Sequence, residues 1–174
     1  MDSLQRAGLD AVPKPIATGP EVAALSRFFP DVTWTGRIVP GGMGPGSPGM
    51  HARGSGRHRA IQGGRWIVGD YRQDQFLDDG TAVLTWELHW VVGWDPAHGE
   101  YRATMADNYG RADVMRGRID GDRLVFESLG AGPGVLRLTW DATDPAELLW
   151  SNEASPDGVH WRLIETYRMT PDAH

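Results

Sequence analysis

Residues 81–94 read TAVLTWELHWVVGW. Side chains alternate across a β-strand, so every second residue shares a face. One face of this segment carries Ala82, Leu84, Trp86, Leu88, Trp90, Val92 and Trp94. The other carries Thr81, Val83, Thr85, Glu87, His89, Val91 and Gly93. The first set is apolar over its whole length and reads as an interior. The second reads as a solvent face; were the two exchanged, Glu87 and His89 would form a polar pocket. A helix would not separate the residues this way, so the segment is a long strand.

The same period extends outward on both sides. Asp78-Asp79-Gly80 turns the chain before it, and Asp95-Pro96-Ala97-His98-Gly99 turns it after. Upstream lie Val32–Val39, Arg57–Gln62 and Arg65–Leu77. Downstream lie Tyr101–Asn108, Ala112–Ile119, Arg123–Leu129, Val135–Asp141, Glu147–Glu153 and Val159–Met169. These are about ten strands joined by short turns, which favour antiparallel pairing of neighbours. An open sheet of that size leaves edges exposed, and closing it removes them. The fold class is therefore all-β, a closed antiparallel up-and-down barrel of about eight to ten strands. A two-sheet sandwich is the alternative.

Ahead of the strands, Pro20 opens a short helix over Glu21–Phe29. Val22, Leu25, Phe28 and Phe29 fall on one helical face, and Pro30 ends it. Residues 1–19 read as a polar tail and 20–170 as one barrel domain. Residues 40–56, PGGMGPGSPGMHARGSG, read as a mobile loop over the barrel mouth. Most of the 23 glycines fall at expected turns.

Charge and composition exclude several classes. The net charge is -6, and the longest basic run is Arg57, His58, Arg59, so nucleic acid is not an expected partner. No stretch approaches a membrane span, and the first residues lack an apolar leader; a cytoplasmic protein is expected. There are no cysteines, which removes disulfides, thiolate metal sites and cysteine nucleophiles. No Gly-x-Ser-x-Gly elbow is present. Gly42, Gly44 and Gly46 alternate without the strand-to-helix context of a phosphate loop. The histidines, at 51, 58, 89, 98, 160 and 174, form no metal-binding pair. A haem-binding barrel would need one axial histidine, for which His160 is the candidate. Nothing else accompanies it, so neither metal nor cofactor is expected.

Two carboxylates stand on otherwise apolar faces. Trp161, Leu163, Glu165, Tyr167 and Met169 share one face by alternation, as do Tyr101, Ala103, Met105 and Asp107. A buried carboxylate must find donors or take up a proton. Glu165 and Asp107 are thus the candidate acid/base pair. The plainer reading is a structural contact with Arg72, Arg116 or a buried tyrosine hydroxyl. Trp66, Trp86, Trp90, Met105, Trp161 and Tyr167 are the expected ligand-binding wall.

Several short motifs are spread in order over roughly residues 20–170. They are Gly63-Gly64-Arg65-Trp66, Gly93-Trp94-Asp95, Tyr101, Asp107 with Gly110, Pro156-Asp157-Gly158 and Glu165-Thr166-Tyr167-Arg168. In these the chain resembles a family of bacterial lipocalin-like (calycin-type) barrel proteins of unknown function. It departs from that pattern at Leu88 and Trp90, where the family tends to small residues. The resemblance implies a barrel with an internal cavity and no particular reaction. It also suggests that Trp34 and Arg168 form the lipocalin tryptophan–arginine plug, with Val32 in place of the usual glycine.

The expected function is binding of a small apolar or aromatic molecule inside the barrel. The alternative is a cofactor-independent enzyme of specialised metabolism, a cyclase or isomerase, using the same cavity and a carboxylate acid/base. A homodimer is left open.

Overall fold

The computed structural model describes residues 17–130 and 134–172. Most of the expected tail, residues 1–16, lies outside them, as do 131–133 and 173–174, which include His174. Helix α1 spans Pro20–Leu25 and continues as a 3₁₀ turn, Ser26–Phe28. Ten strands follow: β1 Val32–Ile38, β2 Met50–Ile61, β3 Trp66–Phe76, β4 Ala82–Asp95 and β5 Glu100–Asp107. Then come β6 Ala112–Asp120, β7 Arg123–Ser128, β8 Val135–Asp141, β9 Leu148–Ser155 and β10 Arg162–Pro171.

Each strand pairs antiparallel with its sequence neighbour, and β1 also pairs with β10, from Val32↔Pro171 to Ile38↔Glu165. The sheet is therefore a closed barrel, not a sandwich. Closure satisfies every strand's backbone ladder and leaves no edge to pair with another chain. Tight turns make it feasible; at Gly121 the chain needs φ 58°, which glycine adopts without steric cost.

The helix closes one end. Its apolar face, Leu25, Phe28 and Phe29, is buried. Phe29 meets Trp140 with ring centroids 5.6 Å apart, and Trp140 in turn meets Trp90 at 5.8 Å. Three polar ties hold the helix in place, one of them from the Arg27 guanidinium to the Gly121 carbonyl at 2.5 Å. The Arg27 guanidinium donates to the Asp122 carboxylate at 2.7 Å, and the Tyr101 hydroxyl donates to the Glu21 carbonyl at 2.9 Å. The connections β1–β2, β3–β4, β5–β6, β7–β8 and β9–β10 gather at the other end.

Three sequence expectations need correction. The loop expected over 40–56 ends at residue 49, because β2 begins at Met50. The glycines beyond that point are not loop signals: a Cβ at Gly54 would lie 2.4 Å from the Trp34 ring, and one at Gly56 would lie 2.9 Å from the Tyr71 ring. These aromatic rings lie flat across the neighbouring strand and need a partner without a side chain. Second, the ladder between β10 and β9 shifts register between Leu163 and Glu165, a β-bulge. Ile164 and Glu165 both turn inward, and the alternation before them is reversed. Leu163 is consequently exposed at 38%. Third, Trp34 faces inward while Arg168 faces outward and pairs with Glu147. There is no tryptophan–arginine plug; the α1 segment fills that end instead.

Candidate functional site

The barrel encloses a cavity of about 740 Å³, within the usual range of ligand sites. Gly42 and Met43 of the β1–β2 loop lie at its edge. So do Asp107 at the end of β5, Arg111 of the β5–β6 turn and Asp113 near the start of β6, with Gly130 and Gly134 of the β7–β8 connection. The mouth is therefore opposite the helix, and part of the glycine-rich loop does border it. The walls are aromatic: Trp34, Trp86, Trp90, Trp140, Trp150 and Tyr167. Trp150 and Tyr167 stack with centroids 4.9 Å apart and planes 5° from parallel.

The expected wall residues divide. Trp86, Trp90, Met105 and Tyr167 line the cavity together with Glu165 and Asp107. Trp66 and Trp161 do not. Trp66 pairs with Gly93, which shares the outward face of β4 with Val91 and His89, and its ring covers that glycine. Trp161 precedes the bulge and lies beneath the Arg137 guanidinium at 3.5 Å, outside the barrel. The Glu87/His89 face points to solvent: Glu87 pairs with Arg72 and His89 with Asp70, each at 2.6 Å. His160 is 84% exposed and bound to Asp157, so it cannot serve the interior. Among the described residues, no histidine lines the cavity.

Glu165 is 7% exposed and sits at the end of a hydrogen-bonded chain. The Trp34 indole N–H donates to Gln73 Oε1 at 3.0 Å, and Gln73 Nε2 donates to the Tyr167 oxygen at 2.9 Å. The Tyr167 hydroxyl then donates to Glu165 Oε2, while Asn152 Nδ2 donates to Oε1 at 3.0 Å. An indole nitrogen can only donate, so it fixes the orientation of the Gln73 amide and the direction of the whole chain. The hydroxyl contact named as the plainer reading of Glu165 is thus present, but it is inside the cavity. Burial pushes the Glu165 carboxyl above its usual range, against the pull of Asn152, Tyr167 and Gln73. Burial and the neighbouring carboxylate push the Tyr167 hydroxyl well above its usual value.

Asp107 differs. Burial alone would raise its carboxyl, but donors outweigh it and hold it below the ordinary range. The backbone N–H of Tyr109 and of Arg111 each donate at 2.9 Å, the Arg111 Nε at 2.8 Å and the Trp86 indole at 3.1 Å. With these donors engaged, Asp107 is suited to orient Trp86 and Arg111 at the mouth and poorly suited to accept a proton.

The raised Glu165 carboxyl has a consequence for stability. Its unfolded value is near 4.5 and its folded value is higher. Between the two, the native state binds more protons than the unfolded state, so stability falls as pH rises through that window and levels above it. Glu165→Gln should remove this contribution. Within the window, the wild-type minus variant difference should decline by up to about 1.4 kcal/mol for each step of one in pH. Denaturant unfolding of both proteins from about pH 4 to 8 measures it; parallel profiles would show that Glu165 is not so perturbed.

Sequence reasoning missed Gln73, Gln75, Asn152, Trp140 and Trp150, and placed Trp34 in a plug. A signal for the glutamines was present. Asp70, Arg72 and Asp74 alternate on one face of β3, which puts Tyr71, Gln73 and Gln75 on the other. Asn152 likewise shares its face with Leu148 and Trp150.

The profile of the DUF1579 family, described as a protein of unknown function, matches residues 32–153. The chain belongs to this family. The match runs from β1 into β9, so the DUF1579 region supplies nearly the whole barrel, while Glu165 and Tyr167 lie beyond it on β10. Among solved structures, the DUF1579 chain is similar to the crystal structure of Rv2717c from M. tuberculosis. The TM-score is 0.60 at 14% identity, over 90% of this chain and 100% of that one. At that identity the likeness shows the fold alone. No curated protein matches the chain. No helix among the described residues is long and apolar enough to cross a membrane.

Proposed function

We propose that the barrel binds a small, mostly apolar or aromatic molecule in its cavity, as a lipocalin-like carrier or receptor would. The observation that carries this reading is the aromatic cavity of about 740 Å³ with a hydrogen-bonded polar cluster in its wall. Broad apolar walls with few fixed polar groups are the usual composition of a ligand site: the walls supply affinity and the polar group supplies orientation. Stacking on Trp150 and Tyr167 would add about 0.5–1.5 kcal/mol per aromatic pair beyond area burial.

The test is to fill the lumen. Met105 lines the cavity from β5. Met105→Trp should weaken binding of the neutral dye Nile red at least about tenfold, with far-UV circular dichroism unchanged. Unchanged dye affinity would place binding outside the barrel.

One observation favours a second reading, a cofactor-independent cyclase or isomerase. Glu165 is a buried carboxyl, raised in pKa and coupled to a tyrosine hydroxyl within the same cavity. That is the arrangement of a general acid/base. Under this reading Glu165→Gln keeps substrate affinity and lowers turnover about 10²–10⁴-fold; under plain binding it alters affinity alone.

A further inference from the structure

Glu165 is a buried acid with no cation beside it. It makes no ion pair among the described residues, and its neighbours are the neutral groups of Asn152, Tyr167 and Gln73. The cation at the cavity rim, Arg111, is bound to Asp107 at 2.8 Å and reaches Glu165 only as the weakest of the influences on it. The hydrogen-bonded chain is also directional. Because the Trp34 indole can only donate, Gln73 must donate to the Tyr167 oxygen, and the Tyr167 hydroxyl is left to donate to Glu165. The wall is thus organised to present an acceptor, the carboxylate, to the lumen. Asn152, which holds that carboxylate through Nδ2, keeps its Oδ1 without a donor.

The surroundings add to this. Faces of tryptophan and tyrosine rings attract cations. Beside Glu165 stand Trp34, Tyr167 and Trp150, with centroids 6.2 Å and then 4.9 Å apart, and the aromatic wall continues through Trp86, Trp90 and Trp140. The ionisable groups lining the cavity are mostly acidic: Glu165, Asp107 and Asp113 against Arg111. A buried carboxylate without a counter-charge is costly, and a cation arriving with the ligand offsets that cost. An anion would meet repulsion and ring faces of the wrong sign.

We propose that the occupant of this cavity is an amphipathic organic cation: a flat apolar body carrying a protonated amine that pairs with Glu165 among the aromatic rings of the wall. This rests on the reading of the cavity as a ligand site. The apolar body fills the space between Trp86, Trp90 and Met105. The ammonium has three N–H donors to distribute between the carboxylate and neighbouring acceptors.

Three probes of one shape test it: naphthylmethylamine, naphthalenemethanol and naphthaleneacetate, titrated calorimetrically into the full chain near neutral pH. The amine should bind at least about tenfold more tightly than the alcohol, and the acetate most weakly. In Glu165→Gln the amine and alcohol should converge to within about twofold. The wild-type comparison decides even if the variant fails to fold. If the amine and alcohol bind wild type equally and Met105→Trp weakens both, the cavity is a ligand site and the cation inference is overturned. If none of the three binds, both the inference and the reading beneath it fail.

Discussion

Phe28→Ala is expected to lower the free energy of unfolding by about 3–5 kcal/mol, the range for emptying a buried phenylalanine site. Phe28 is 1% exposed, on the 3₁₀ turn that continues α1. With Leu25 and Phe29 it closes the end of the barrel opposite the cavity mouth. The barrel cannot collapse around a missing ring there, because the strand ladders on all sides are hydrogen-bonded and fix the wall. The cavity left behind therefore persists and its cost is not relaxed away. Guanidinium unfolding with an unchanged m-value measures the loss. Val159→Ala is the control: Val159 is 72% exposed and should contribute less than about 1 kcal/mol. If Phe28→Ala costs no more than that control, the helix is an appendage and not the end of the core.

The second large effect is at Gly36. Gly36→Ala is expected to cost about 3 kcal/mol and to disturb the candidate site as well. A Cβ there would lie 2.1 Å from the Thr166 carbonyl oxygen and 2.3 Å from the Tyr167 ring. The first contact is with backbone, so β1 and β10 must separate where they close the barrel. The second pushes Tyr167 off its place beside Glu165 and against Trp150. Thermal unfolding should show the lower midpoint. Near-ultraviolet circular dichroism should show the altered Trp150–Tyr167 pair in the folded variant. A variant with wild-type midpoint and spectrum would mean that this glycine is replaceable and that the close approach of Tyr167 is not required.

The two variants mark the line between what could be read along the chain and what could not. Alternation of side chains is a local property of extended backbone, with a period of two that needs no partner. It therefore placed Trp86, Leu88 and Trp90 inside and Glu87 and His89 outside, and put Met105 and Asp107 on one face. The helix was equally local: Pro20 at its start, and an apolar stripe ending in Phe28 and Phe29. Turn chemistry at Asp78–Gly80 and Asp120–Asp122 spaced the strands, and ten of them with short links imply closure.

Tertiary structure decided the rest. The bulge before Glu165 exists only because β10 pairs with β9, and one extra residue reverses the faces upstream of it. Parity read backward from Glu165 therefore put Trp161 indoors when it lies outside under Arg137. Glycines at 54 and 56 look like loop residues until the rings of Trp34 and Tyr71 are laid across them. The polar cluster is the least local feature of all. Gln73 and Tyr167 are 94 residues apart and meet through closure of the barrel, which brings β3 and β10 around to one cavity with only β2 and β1 between them. Sequence alone determined which residues face inward wherever the backbone runs without interruption. Which inward residues touch one another was settled by the closed sheet, because hydrogen-bond register and ring packing between distant strands have no signature in local order.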